Sequence, residues 1–418
     1  MQFKNVIAGA ALVGAAFATT VNNSTLTTAT PSVGSGCSFS KFTATASAQV
    51  AQIAACATAV GDVTIYGAAF GNIDLTGTEQ FYGNLLINNA TQVSAFNAPT
   101  LELVSGELTF NGSTILETIN LAVLTTVGTL TISACSQLDT LDLTTGITSA
   151  DNITIADTAL TTLEGINVVE LKIFNVNNNK DITTINSGLQ SVTDSLAISY
   201  NAQGVNVTMD ELTSAYDIYL QDVGSLSFSN LTTINSSLIL DNCQFESLEI
   251  KNLTSIGNAL AITDNSVLTD ISFPALTTIK GAFTIENDDD LSVVDGFPVL
   301  KSVSGSVVID GSLDNVTFPD LTKVYGSFNL TSTGELSCSE FEKENKDLTV
   351  AGTSNCVGKT DSTISSGTLK SSSSGSSSET GSSSSGSSTT KKSDASSAAV
   401  AYLTPFLAAF MAVGAAIY

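Results

Sequence analysis

The chain has 418 residues, with 14 Lys, 39 Asp and Glu, no Arg, no His and no Trp, for a net charge of −25. An apolar share of 43% against 13% charged residues excludes a chain that is disordered overall. Acidity without Arg excludes binding to nucleic-acid phosphates. The missing His removes Ser-His-Asp and Cys-His nucleophiles and the common zinc sites. Any chemistry would have to run on carboxylates, Lys, Tyr or Ser, and no cofactor or metal is expected.

Residues 1–18 have the pattern of a secretory signal. Lys4 is the positive start, Val6 to Phe17 an apolar run, and Ala16-Phe17-Ala18 an A-x-A cleavage site. A short segment, 19–36, follows. The secretory start gives weight to eleven N-x-[ST] sequons, at Asn22, Asn23, Asn89, Asn111, Asn152, Asn206, Asn230, Asn235, Asn252, Asn315 and Asn329. They predict a heavily glycosylated surface.

From residue 37 to 356 an apolar-x-apolar unit recurs, often behind a glycine, as in Gly106-Glu-Leu-Thr-Phe110 and Gly281-Ala-Phe-Thr-Ile285. The first apolar residues form a series: Val63, Leu85, Leu108, Leu130, Ile153, Phe174, Leu196, Ile218, Leu238, Leu260, Phe283, Val307 and Phe328. Thirteen anchors at a spacing of 20 to 24 residues predict about 13 stacked coils, each opening with a short strand of period 2. One coil alone cannot cover its apolar edge, so the coils must stack into a single parallel β-solenoid. At ~4.8 Å per strand this makes a rod of roughly 60 Å.

The six cysteines follow the same geometry. Cys37 and Cys56 flank the first coil, where Gln49 to Ala55 suggests a capping helix, and Cys338 and Cys356 follow the last. Six cysteines allow 15 connectivities, and position in the stack selects Cys37–Cys56 and Cys338–Cys356. Each bridge would contribute roughly 3 kcal/mol by loop closure. Cys135 and Cys243 lie five residues after their anchors, in the slot that other coils fill with Asn179, Asn201 and Asn265. This is the Asn/Cys position of the leucine-rich pattern. Five coils separate these two cysteines, roughly 24 Å, too far for a bridge. They are expected to be buried free thiols.

Residues 357–394 read as a Ser-rich, glycosylated stalk, with 19 Ser between residues 361 and 400. The remainder, 395–418, is apolar and lacks a terminal positive anchor. Small residues at Ser393-Asp394-Ala395-Ser396 before such a tail predict a GPI-attachment signal, with Asp394 as the attachment residue. A single transmembrane helix is the alternative.

Chemistry would sit on the outward side of the strands. The row one residue after each anchor runs from Thr64 through Asn175, Tyr219 and Ile239 to Asn329 and carries no charge. The row three residues after each anchor places Glu286 and Asp310 on adjacent coils. Stacked carboxylates at about 5 Å suit a retaining glycosidase. A pair of solvated acids among the 39 is the plainer reading. Asp288-Asp289-Asp290 reads as a turn.

The start Met1-Gln2-Phe3-Lys4-Asn5 and the segments Phe174-Asn175-Val176-Asn177-Asn178-Asn179 and Val294-Asp295-Gly296-Phe297, in that order over most of the chain, resemble the fungal GPI-anchored cell-wall-organisation proteins related to sporulation-specific wall proteins. The resemblance implies a right-handed solenoid similar to the receptor L domain and to leucine-rich repeats. It also implies a role in wall integrity, and no catalytic residue. The expectation is a non-catalytic cell-surface glycoprotein, held to the membrane by GPI lipid and in contact with wall polysaccharide or wall proteins. The rivals are a carbohydrate-active β-helix enzyme using Glu286 and Asp310, and an adhesin or receptor-like module binding on the uncharged row.

Overall fold

A computed structural model describes residues 29–359. The secretory signal, Asn22, Asn23, most of the stalk, Asp394 and the apolar tail lie outside the described residues. Within them the chain is an all-β parallel solenoid. Its thirteen anchors pair in unbroken register, Val63 with Leu85, Leu85 with Leu108, and so on to Val307 with Phe328. One more coil is added at each end, through Phe42 on Val63 and Ser354 on Phe328, giving about 15 turns.

Each coil follows from its sequence. The anchor and the residue two further on point inward, so pairs such as Leu260 and Ile262 or Phe283 and Ile285 are buried, as period 2 requires. The chain reaches the strand through a corner where neighbouring backbones almost touch. At Gly83 (φ +142°) a Cβ would lie 2.0 Å from the Gly61 carbonyl oxygen, so only glycine fits there. A threonine row braces the corner in the middle of the rod. Thr254 Oγ1 donates to the Thr232 carbonyl and Thr277 Oγ1 to the Thr254 carbonyl, each at 3.0 Å.

The strands at and before the anchors form one 22-stranded sheet, and short strands on another side of the coil form sheets of four, three, two and two strands. One apolar core fills the space between them. In its C-terminal part Phe273 stacks on Phe297 at 5.2 Å, and Phe283 meets Phe297 edge-on at 4.9 Å. Phe273 and Phe297 come from adjacent coils, so their contact binds coil to coil, whereas Phe283 and Phe297 brace one coil from within, and both contacts contribute beyond area burial.

Both ends are closed. The helix α1, Ser47–Ala54, buries Val50 and Ile53. Its start is satisfied by Gln49 Oε1, which accepts from the Thr45 and Ala46 backbone N–H groups at 2.7 and 3.0 Å. A second helix, α2, Cys338–Glu344, is capped by Ser337, whose hydroxyl accepts from the Glu340 N–H. Phe341 of α2 stacks on Phe328 at 5.4 Å, covering the last apolar edge. Disulfides join Cys37 to Cys56 and Cys338 to Cys356, with Cα separations of 5.6 and 5.8 Å.

Candidate functional site

The slot five residues after the anchor is a continuous inward column. Asn179 Nδ2 donates to the Ile155 carbonyl, Asn201 Nδ2 to Val176 and Asn265 Nδ2 to Leu240. Each amide oxygen accepts from a backbone N–H: Asn179 from Thr158, Asn201 from Asn179, and Asn265 from Cys243. Each side chain thus ties its own coil to the preceding one through both a donor and an acceptor, the reason asparagine suits the slot. Cys135 and Cys243 occupy the same column, free and buried. Burial, the leading cause for each, raises both thiols to about 12. Thiols so placed are packing groups, not redox centres.

The acidic run at 288–290 makes the expected turn, with the Leu291 N–H donating to the Asp288 carbonyl at 3.1 Å. Asp289 and Asp290 are exposed, but Asp288 is 2% exposed and fills the slot in the coil of Phe283. Its Oδ1 accepts from the Asn265 N–H and Nδ2, and its Oδ2 is buried without a partner. Burial raises its carboxyl to about 7, against hydrogen bonds from Asn265, with Asp264 and Asp289 adding repulsion. The signal was present in the sequence: Asp288 stands five residues after Phe283, where Asn265 stands after Leu260.

The residue just before the slot is left-handed in coil after coil. Asn89, Gly112, Ala134, Asp157, Asn178, Tyr200, Asp222, Asn242, Asp264 and Asn287 all have φ between 48° and 67°. Asn, Asp and Gly tolerate this conformation. Their side chains form an outer ladder, with Asn242 donating to Asp222 and Asn287 to Asp264. Tyr200 is the bulky exception. It costs about 1–2 kcal/mol of backbone strain, yet 56% of it is exposed.

The outward face is less open than the row pattern implies. Ala197, Tyr219, Ile239, Ala261 and Thr284 of the uncharged row are all under 9% exposed, as are Ser133 and Gln221 of the second row. Strands about 4.8 Å apart let each side chain shield its neighbours, and Tyr219, Ile239 and Ala261 form a small apolar cluster of their own. Polar groups close over it. The Tyr219 hydroxyl donates to Gln221 Oε1 at 2.8 Å and lies 3.4 Å from Asp241 Oδ2, and Thr263 Oγ1 donates to Asp241 Oδ1 at 3.2 Å.

Glu286 and Asp310 are paired across adjacent strands, as the spacing predicts. Glu286 is half-buried rather than fully solvated. Burial first, then Asp310 and Asp264, raises its carboxyl above the usual range, and burial raises that of Asp310. Burial likewise raises Asp241. A cavity of about 300 Å³ toward the C-terminal end is lined by Lys301, Phe318 to Thr322, Glu344, Asn345 and Asp347, none of them a residue singled out in the sequence.

Of the nine sequons within the described residues, Asn89, Asn206, Asn230, Asn235, Asn252 and Asn315 are exposed and Asn111, Asn152 and Asn329 half-buried. The Asn152 amide donates to Thr129 Oγ1 and the Asn252 amide to the Ser229 carbonyl.

Repeat pattern, stacked register and bridged ends define a disulfide-capped, leucine-rich-repeat-like β-solenoid. No family model matches the chain. It is 32% identical over 302 residues to Protein ecm33 of Aspergillus fumigatus, covering 72% of this chain and 75% of that protein. The chain belongs to this fungal ECM33 family. It is also 35% identical over 237 residues to the cell surface GPI-anchored protein ECM33 of Candida albicans, covering 56% and 57% of the two chains. With sporulation-specific protein 2 of Saccharomyces cerevisiae it shares 29% identity over 291 residues, covering 69% and 58%. The match spans less than three fifths of the length of these last two relatives. A leucine-rich repeat protein from Bacteroides ovatus, 13% identical, aligns over 69% of this chain and 87% of that one, with a TM-score of 0.32.

Proposed function

We propose that the protein is a non-catalytic module of the fungal cell surface, held by GPI lipid, whose solenoid supports wall organisation. The names of its relatives, cell surface GPI-anchored protein and cell wall mannoprotein, favour this setting. In this reading 1–18 is removed as a signal, 37–356 is the ectodomain, 357–394 the stalk, and Asp394 carries the lipid in place of 395–418. The nine sequons on the rod and Asn22 and Asn23 before it are glycan acceptors. Treatment with a GPI-cleaving phospholipase is expected to release the protein from membranes. Retention, with an intact C-terminal peptide by mass spectrometry, would contradict that.

The non-catalytic reading is supported by the names of the relatives, which describe surface and wall proteins. Glycosidase chemistry would have to sit on Glu286 and Asp310, the carboxylates stacked across adjacent strands. Incubation with β-glucan, chitin and mannan is therefore expected to yield no new reducing ends and no transfer products. Products that vanish in the Glu286→Gln, Asp310→Asn double variant would identify an enzyme.

A further inference from the structure

We propose that Tyr200 is the stacking platform of a carbohydrate subsite on the outward face, taking a β-linked, gluco-configured pyranose chain, with Gln221 and Asp241 as its hydrogen-bonding side chains. This rests on the reading of the protein as a non-catalytic wall module and gives that module a binding site.

The first observation is a broken local rule. Eight other coils place Asn, Asp or Gly at the left-handed position; Ala134 and Tyr200 depart from this, and of the two only Tyr200, with φ 52°, is bulky and more than half exposed. Strain held by a mostly exposed side chain is not repaid by packing and points to a use outside the fold.

The second is what stands beside it. Tyr200 precedes Gln221 by one coil and Asp241 by two, and Gln221 and Asp241 are paired across adjacent strands. Tyr219 and Thr263 hold both side chains in place. Gln221 uses its Oε1 in that network, and among the described residues no protein group accepts from its Nε2. Tyr200 lies close enough to Tyr219 to disfavour ionisation of its phenol, and an aromatic ring one coil from planar polar side chains that Tyr219 holds fits a sugar. The axial C–H face of a β-linked glucopyranose lies on the ring, and its equatorial hydroxyls reach the amide and carboxyl at the edge. The polar row continues to Thr263 in steps of about 4.8 Å, so a chain can run along it.

The third is access. Among strand positions of the main sheet, sequons fall at Asn111, Asn152 and Asn329, with Asn152 two coils before Tyr200 and the others farther away. The main-sheet strands of the coils from Phe174 to Val307 carry none, and Asn206 and Asn315 lie on strands of the smaller sheets, on another side of the coil. A protein partner fits less well, because the apolar cluster on the three coils that follow, Tyr219, Ile239 and Ala261, is already covered and offers no apolar interface core.

The test is calorimetric titration of the purified glycoprotein, with linear β-glucan and chitin oligosaccharides as separate arms and mannan oligosaccharides as the contrast. Tyr200→Asn installs the residue used by Asn89, Asn178, Asn242 and Asn287. It is expected to weaken binding in a β-linked arm by about tenfold or more while the melting temperature holds or rises. Tyr200→Phe is expected to retain binding. Unchanged binding by Tyr200→Asn, binding of mannan alone, no binding in any arm, or a Tyr200→Asn protein that melts lower would each overturn the proposal. Release of reducing ends in the same samples would instead overturn the non-catalytic reading, so the two failures are distinguishable.

Discussion

Asp288 accepts two hydrogen bonds from Asn265 through a single oxygen, Oδ1, from the backbone N–H at 2.8 Å and from Nδ2 at 3.0 Å. It is a carboxyl in an asparagine's place. Its other oxygen stands where Asn179, Asn201 and Asn265 each present an amide donor to a carbonyl of the preceding coil. A carboxylate has no proton to donate there, whereas a carboxylic acid does.

The pH dependence follows with a definite sign. Burial pushes the folded carboxyl up to about 7 from its ordinary 3.8, so the native state holds the extra proton between these values. Stability is then greatest below about pH 4 and falls as pH rises to about 7, by on the order of 4 kcal/mol for this group. Asp288→Asn is expected to be more stable than the parent at neutral pH and to lack that share of the decline. Urea titrations of both proteins from pH 4 to 8 read the difference. Glu286, Asp310 and Asp241 share the sign, so the comparison between the two proteins isolates Asp288.

Phe283 shows how the rod holds together. It is fully buried and meets Phe297 and Phe318, at 4.9 and 6.1 Å. Phe283→Ala is expected to cost roughly 3–5 kcal/mol, and neighbouring coils should lose hydrogen-exchange protection with it, since repeats are stabilised by adjacent repeats. An effect confined to one coil would argue against nearest-neighbour coupling.

The cysteines separate into two kinds. Peptide mapping without reduction should return Cys37 with Cys56 and Cys338 with Cys356. Cys135 and Cys243, held near 12 by burial, should react with a thiol reagent at neutral pH only after unfolding. Replacing Cys338 and Cys356 by Ser should cost roughly 3 kcal/mol and open the coils of Phe328 and Val307 before those of the centre.

The stack was legible because its information is linear. Period 2 within a period near 22 fixes which residue meets which, and each anchor from Val63 to Phe328 pairs as its spacing demands. The end coils were hidden because their residues break the pattern: Ser354 is polar, and Cys356 takes the inward position beside Leu330. Asp288 was hidden by its companions, since a run of three acids looks solvated until the count from Phe283 is made. The covered Tyr219, Ile239 and Ala261 were not legible, because shielding across an outward face depends on side chains from successive coils. Tyr200 was visible only as one of 8 tyrosines until the left-handed ladder made it an exception.

The central claim is that the solenoid serves the wall as an intact surface rather than through an active site. Complementation of a strain lacking the protein, with surface abundance measured in parallel, tests it most directly. The Glu286→Gln, Asp310→Asn double variant is expected to reach the surface at parental levels and to restore the wall. Parental abundance without rescue would contradict the account and make the carboxylate pair an active-site candidate.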